Sequence, residues 1–131
     1  MRRVLAFCTL ALSVVGAGSC GDGAGPVAGL ITVSLTTPNP GGDGAILLTV
    51  AGPATPTSVS AEPGLRVFSM ALSTTNQFAV TGSLANGAIL RIGVPDVRRA
   101  NQYVATVQGV AANDYSLRTA TSTYKLTVVA P

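Results

Sequence analysis

Residues able to do chemistry are few in this sequence of 131 residues, and histidine is absent from it. Without histidine, the chain cannot form a Ser-His-Asp triad, a Cys-His pair or an imidazole metal site. Histidine is also the usual general base near neutral pH. The glycine-rich "GDGAG" at residues 21–25 follows no predicted strand, so it indicates a linker rather than a phosphate loop. We therefore predict no catalytic residue and no bound cofactor, and expect a protein that is not an enzyme.

Carboxylates are the remaining candidates for catalysis or metal binding, and the sequence holds five of them. Four stand in turn sequences, at Asp43, Glu62, Asp96 and Asp114. Turn aspartates usually accept hydrogen bonds from their own backbone, so we expect structural roles. Two alternatives stay open: a pair of acids working as in a glycosidase, or a calcium site at Asp96 or Asp114. The spaced D-x-D-x-D run of a calcium loop is missing, and we predict no metal site.

Aromatic residues bear on sugar binding, since carbohydrate-binding sandwiches present aromatic platforms. The sequence has no tryptophan. By alternation, Phe78, Tyr103 and Tyr124 fall on predicted core faces, which leaves few aromatic side chains for such a platform. Tyr103 or Tyr115 is also a candidate for a tyrosine corner, in which the hydroxyl bonds back to the chain. We therefore expect mainly core packing from these residues.

Cys20 follows an N-terminal segment with the layout of a secretory signal. Met1, Arg2 and Arg3 form a basic start, residues 4–19 are uncharged and mostly apolar, and small residues precede Cys20. The segment is short for a membrane-spanning helix, which needs roughly 20 apolar residues. Because Cys8 lies inside it, cleavage before Cys20 would leave one cysteine, at the first mature position.

The sequence Ala17-Gly18-Ser19-Cys20 resembles the lipobox of bacterial lipoproteins, with Ala17 where Leu, Val or Ile is usual. This resemblance implies that Cys20 carries a thioether-linked diacylglycerol, becomes the acylated N-terminus and attaches the exported chain to a bacterial membrane. Asp22 is not at the second mature position, which favours the outer membrane if the cell has two. The alternative is ordinary cleavage at residues 17–19 with Cys20 as an incidental thiol.

The net charge of +3 is partly a property of the predicted signal. Without Arg2 and Arg3, six basic residues oppose five acidic ones, which gives +1 and does not favour nucleic-acid binding. Arg98 and Arg99 stand beside Asp96 and indicate a solvated loop. Contact with an acidic partner or with anionic lipid headgroups is the alternative interpretation.

From residue 30 onward the pattern is that of β-strands. "LITVSLTT" alternates apolar and polar residues, and Asn86-Gly87 indicates a tight turn before "AILRIGV", where Ala88, Leu90, Ile92 and Val94 are expected to point inward. "AILLTVA" at residues 45–51 is apolar on both faces and predicts a central strand. "VPDVRRANQ" has room for one turn of helix. We predict a signal at 1–19, a lipidated, glycine-rich tether at 20–29 and one all-β domain at 30–131. Its expected fold is an antiparallel β-sandwich of seven to nine strands.

Residues 82–129, "GSLANGAILRIGVPDV" through "YKLTVV", resemble the C-terminal strands of cohesin-like and immunoglobulin-like bacterial sandwich modules. The likeness covers under half of the chain and consists mostly of β periodicity. It implies the fold alone, since no binding residue of a cohesin face matches here.

Two function classes follow from these observations. The first is a non-catalytic, membrane-anchored lipoprotein whose sandwich binds or braces another protein of the cell envelope. The second is a carbohydrate-binding module of the cell surface, which needs two or three exposed aromatic residues on one face.

Overall fold

Strands fill most of the computed structural model, as the alternating pattern predicts. The structure describes residues 25–72 and 75–131, so Cys20 and the predicted signal lie outside the described residues. The described elements are β1 (Gly29–Thr36), β2 (Asp43–Ala51), β3 (Ser58–Ala61), β4 (Arg66–Leu72), β5 (Thr75–Leu84), β6 (Gly87–Val94), the short 3₁₀ helix η1 (Val97–Gln102), β7 (Val104–Ala112) and β8 (Lys125–Val129).

The eight described strands form two antiparallel sheets of four strands each, packed as a sandwich. This confirms the predicted all-β fold class. Sheet A has the strand order β3-β6-β1-β8, and sheet B has the order β4-β5-β2-β7. Among the described strands, β4 and β5 are the one consecutive pair within a sheet; every other connection passes from one sheet to the other. The finer likeness to cohesin-like and immunoglobulin-like modules stays a prediction.

The core lies between the two sheets and consists of the inward rows that alternation predicts. Burying a large aliphatic or aromatic side chain contributes about 1.5–3 kcal/mol, so these rows are the main stabilising contribution. The largest fully buried side chains are Phe78, Ile31, Leu35, Ile46, Leu48, Leu84, Ile89, Leu90, Ile92, Val33, Val50 and Val80.

A β-bulge in β6 alters one predicted row. Val33 pairs with Leu90 and Ser34 pairs with Ala88, so Ile89 is the extra residue on the bulged strand. Ile89 is buried and Ala88 is exposed. The prediction that Ala88 points inward is therefore wrong, because a bulge inserts one residue and breaks strict alternation.

The sandwich has two ends, which we name by their contents. At the η1 end, η1 follows β6, as predicted for one helical turn, and Asp96 caps it by accepting a hydrogen bond from the Arg98 backbone N–H. β1 begins at this end, while β2 begins at the other, the Asp43 end, where Asp43 pairs with Leu84 and Ala112. In the described ranges, no helix has the length and apolarity needed to cross a membrane.

Candidate interaction surface

The outer face of sheet B carries an uncovered apolar row, beside which lies a row with Gln77 and Thr49. Its central row runs across all four strands, from Phe68 through Ala79 and Leu47 to Gly109. Phe68 is 61% exposed and Leu47 is 38% exposed. The prediction that β2 is a central strand with two apolar faces is confirmed for its position, but only one of those faces is covered by protein.

Further apolar side chains extend this row along the edge strand β4. Met70 and Leu72 alternate with Phe68 on the same side of the strand and are 59% and 43% exposed. Leu47, Phe68, Met70, Gln77 and Ala79 line a shallow cavity of about 170 Å³ that Ser69 completes. Exposed apolar patches of this kind mark interaction sites on soluble domains.

One more apolar side chain, that of Leu117, reaches this face from the connection between β7 and β8. Leu117 forms an isolated antiparallel bridge with Ala111 and is 78% exposed. It lines a cavity of about 220 Å³ together with Leu47 and Gly109. Nothing in the local sequence "YSLRT" distinguishes this leucine from a core leucine, which is why the sequence pattern did not find it.

The outer face of sheet A is more polar and provides an internal contrast. Across this sheet, Thr32 pairs with Arg91, which in turn pairs with Ser60. Thr127 and Lys125 lie on the same side of β8. The Arg91 guanidinium also forms an ion pair with Glu62, at 2.6 Å between Nε and Oε1. The two outer faces therefore differ in chemistry although both belong to four-stranded sheets.

At the η1 end, Asp96 forms ion pairs with Arg98 and Arg99, the two arginines that follow it closely in the sequence. Its carboxylate lies 3.2 Å from Arg98 Nε and 3.9 Å from Arg99 Nε. The hydrogen bond from the Arg98 side chain is the main cause that holds the pKa of Asp96 below its ordinary value of 3.8. The charges of these arginines are thus partly balanced by Asp96, and all three residues line a cleft of about 320 Å³.

The chain enters the sandwich beside this cluster. Val27 accepts a backbone hydrogen bond from Val97 at 2.8 Å and donates its own N–H to Asp96 Oδ1 at 3.3 Å. The Arg98 guanidinium donates to the Gly25 carbonyl oxygen. The described part of the predicted tether is residues 25–29: residues 25–28 lie against η1, and Gly29, predicted as the last tether residue, is the first residue of β1.

At the opposite end, Asp43 is fully buried in a polar cluster that the sequence did not indicate. Its carboxylate accepts hydrogen bonds from Thr37 Oγ1 at 2.7 Å, from Tyr124 OH at 3.0 Å and from Arg118 Nε at 3.0 Å. The expectation that Asp43 is a turn aspartate bonded to its own backbone is wrong. Thr37 lies six residues before Asp43, while Arg118 and Tyr124 lie 75 and 81 residues away, and local sequence does not reveal these long-range partners.

The acids weighed for catalysis or calcium binding are not brought together. Asp96 lies at the η1 end, while Asp114 follows β7 at the Asp43 end. Asp114 accepts hydrogen bonds from the N–H and hydroxyl of Ser116, as expected for a turn aspartate, and the side-chain bond is the main cause that lowers its pKa. Within 25–72 and 75–131, no three His, Cys, Asp or Glu residues are grouped as a metal site would need.

The aromatic residues divide as alternation predicts for three of them. Phe78, Tyr103 and Tyr124 are buried. The Tyr103 hydroxyl accepts a hydrogen bond from the backbone N–H of Ala54. Burial raises the pKa of this hydroxyl above 10.0. Tyr115 is 88% exposed, so it packs in no core. It lines a cavity of about 480 Å³ with Arg66 and Thr81.

Comparisons of this chain with models of protein families, with curated proteins and with solved structures found no match. The fold itself defines the class, which is a small antiparallel β-sandwich with an exposed apolar row on the outer face of sheet B.

Proposed function

We propose that this chain is a non-catalytic lipoprotein of the bacterial cell envelope, anchored through Cys20, whose sandwich binds another envelope protein. The observation that carries the binding role is the uncovered apolar outer face of sheet B, from Phe68 and Met70 to Leu47. Apolar and aromatic side chains with few charges are typical of the centre of a protein interface. The rigid strands beneath would present this face without a further change of fold.

The distance from Cys20 to the sandwich supports a close attachment. Five residue steps separate Cys20 from Gly25, and an extended chain spans at most about 3.6 Å per residue. A lipid on Cys20 would therefore keep the η1 end within about 18 Å of the membrane surface.

The anchoring half of the proposal is tested by intact mass of the membrane-extracted protein, with wild type beside Cys20→Ser. We expect a mature species that starts at Cys20 and carries added diacylglycerol mass. In Cys20→Ser, that mass and the membrane association should be lost together. An unmodified wild-type chain in the soluble fraction would overturn the anchoring.

The binding half is tested by site-specific photo-crosslinking in intact cells. A photoreactive amino acid at Leu47 probes the outer face of sheet B, and one at Thr32 probes the outer face of sheet A. We expect a discrete adduct from position 47 that is absent from position 32 and is lost when Phe68→Asp is added. Equal adducts from both faces, or an adduct insensitive to Phe68→Asp, would contradict specific binding.

Carbohydrate binding is the second candidate, and one observation favours it. Phe68 and Tyr115 are both exposed. Tyr115 lines a cavity with Arg66, which stands two residues before Phe68 on β4. Retention on immobilised cell-surface polysaccharide that is lost in Tyr115→Ala, with no discrete photo-adduct from position 47, would support this candidate over protein binding.

A further inference from the structure

We propose that β4 is a self-pairing edge, through which two copies of this chain join their B sheets into one continuous sheet. β4 ends the order β4-β5-β2-β7 and pairs with β5 on one side only. Its backbone groups that point away from β5 therefore meet no described strand. This inference does not depend on lipidation, because the edge is a property of the sandwich.

The other three edges carry more features that discourage strand addition than β4, which is longer than β3 and β8 and has no bulge. Edge strands are usually protected by shortness, proline, bulges or charge. β3 has four residues and stands between Pro56 and Pro63. β8 begins with Lys125. β7 has a register shift that leaves Gln108 as an extra residue, and Leu117 bridges its far part.

β4 is longer than β3, forms seven unbroken pairs with β5, and has one charge, at its first residue Arg66. Ser69 and Ala71 pair with the inward-facing Phe78 and Asn76, yet both remain exposed. The side chains on both faces of the strand are thus exposed after Val67, because the four-residue β3 of the opposite sheet covers little of β4. An added strand would find free backbone groups and uncovered side chains on either side.

The sequence of β4 fits a second copy of itself. Ser69 is the central residue of Arg66–Leu72, so an antiparallel pair about a two-fold axis at Ser69 aligns all seven residues. Phe68 then lies opposite the second copy's Met70, and a methionine sulfur beside an aromatic ring is a favourable contact. Arg66 lies opposite Leu72 rather than opposite another arginine, so no like charges meet across the pair.

This axis also keeps the two apolar outer faces on one side of the joined sheet. A two-fold axis perpendicular to a sheet preserves its faces, and it requires residues of the same face to oppose each other. The pairing about Ser69 meets that condition, since Phe68 and Met70 share the outer face. A second copy paired in this way would therefore continue the apolar outer face across the joined sheet.

Disulfide crosslinking of the full chain in whole expressing cells, with membrane and soluble fractions both examined, tests the register. In Ser69→Cys, the two introduced cysteines would lie directly opposite each other, within the Cα separation of about 4.4–6.8 Å that a disulfide requires. In the control Ala71→Cys, they would be displaced by four residues, about 14 Å along the strands. The wild-type chain, which has Cys8 and Cys20, sets the background. We expect a linked dimer from position 69 only.

Charge variants test whether the partner is this chain. Ser69→Lys places two like charges opposite each other, so differently tagged copies should no longer co-purify. Ser69→Glu should behave the same way, and Ser69→Lys mixed with Ser69→Glu should restore the pair. Ser60→Lys, on the edge strand β3, is the matched control and should leave co-purification unchanged. Equal crosslinking from positions 69 and 71, or no co-purification of wild-type copies, would overturn the proposal.

Discussion

Tyr124 donates its hydroxyl hydrogen to Asp43 across 3.0 Å, although 81 residues separate the two in the chain. The same hydroxyl accepts a hydrogen bond from Asn39 Nδ2 at 2.9 Å. Asp43 begins β2 in sheet B, and Tyr124 directly precedes β8 in sheet A. This contact therefore joins the two sheets at the Asp43 end, where the apolar core gives way to loops.

Removing the Tyr124 hydroxyl should destabilise the sandwich. Tyr124→Phe leaves both Asn39 and the buried Asp43 short of one partner, and an unsatisfied buried polar group costs about 1–3 kcal/mol. Chemical denaturation followed by circular dichroism measures this loss. Tyr115→Phe is the matched control, because that side chain is exposed and its change should stay within about 0.5 kcal/mol. Equal unfolding midpoints for the two variants would contradict the role of the contact.

Neutralising Asp43 should cost more than neutralising Glu62, which is less buried and pairs with the exposed Arg91. Asp43→Asn leaves Arg118, whose side chain is 32% exposed, without its counter-charge, so we expect a loss of about 1–3 kcal/mol, below that of a fully buried pair. Glu62→Gln breaks the exposed pair with Arg91 and should cost about 0–1 kcal/mol. The free energies of unfolding of both variants decide the point. Similar losses would mean that Asp43 gains little from its buried partners.

A methyl group at Gly52 should disturb the η1 end. A Cβ built at this position overlaps the ring of Tyr103, which is buried and has little room to move. We expect Gly52→Ala to destabilise the fold by about 1–3 kcal/mol, the usual cost of overpacking. Gly109→Ala is the control, since a Cβ there meets nothing within 4 Å. If thermal unfolding shows equal stability for both variants, Tyr103 does not pack against Gly52 as described.

Acidification should release residues 25–28 from η1. The pKa of Asp96 is lowered below 3.8 in the folded chain, mainly by the Arg98 side chain. A lowered folded-state pKa means that the carboxylate's contribution is present above 3.8 and is lost as the pH falls through the lower folded value. The Val27 amide, which donates to Asp96, should report this transition in an NMR titration. Asp96→Ala should show the released signal at every pH. A wild-type transition centred above 3.8 would contradict the assignment.

The sequence by itself predicted the strands, their inward rows and the all-β class. This succeeded because alternation with a period of two is a local property: Ile31, Val33 and Leu35 share a face wherever their strand is placed. One turn of helix after β6 could also be predicted, because its cap is local: Asp96 accepts a hydrogen bond from the backbone N–H of Arg98, two residues later. The bulge at Ile89 could not, because it depends on the pairing with β1.

Only the tertiary structure decided which surfaces are covered. "AILLTVA" predicts a strand with two apolar faces, but whether a second layer covers Leu47 depends on strands elsewhere in the chain. Asp43 resembled any turn aspartate until Arg118 and Tyr124, which lie 75 and 81 residues away, were placed around it. Sheet order has the same origin, because pairing joins segments by shape and register rather than by neighbouring sequence. The apolar outer face and the open edge of β4 are therefore properties of the assembled sheets, and no single stretch of sequence contains them.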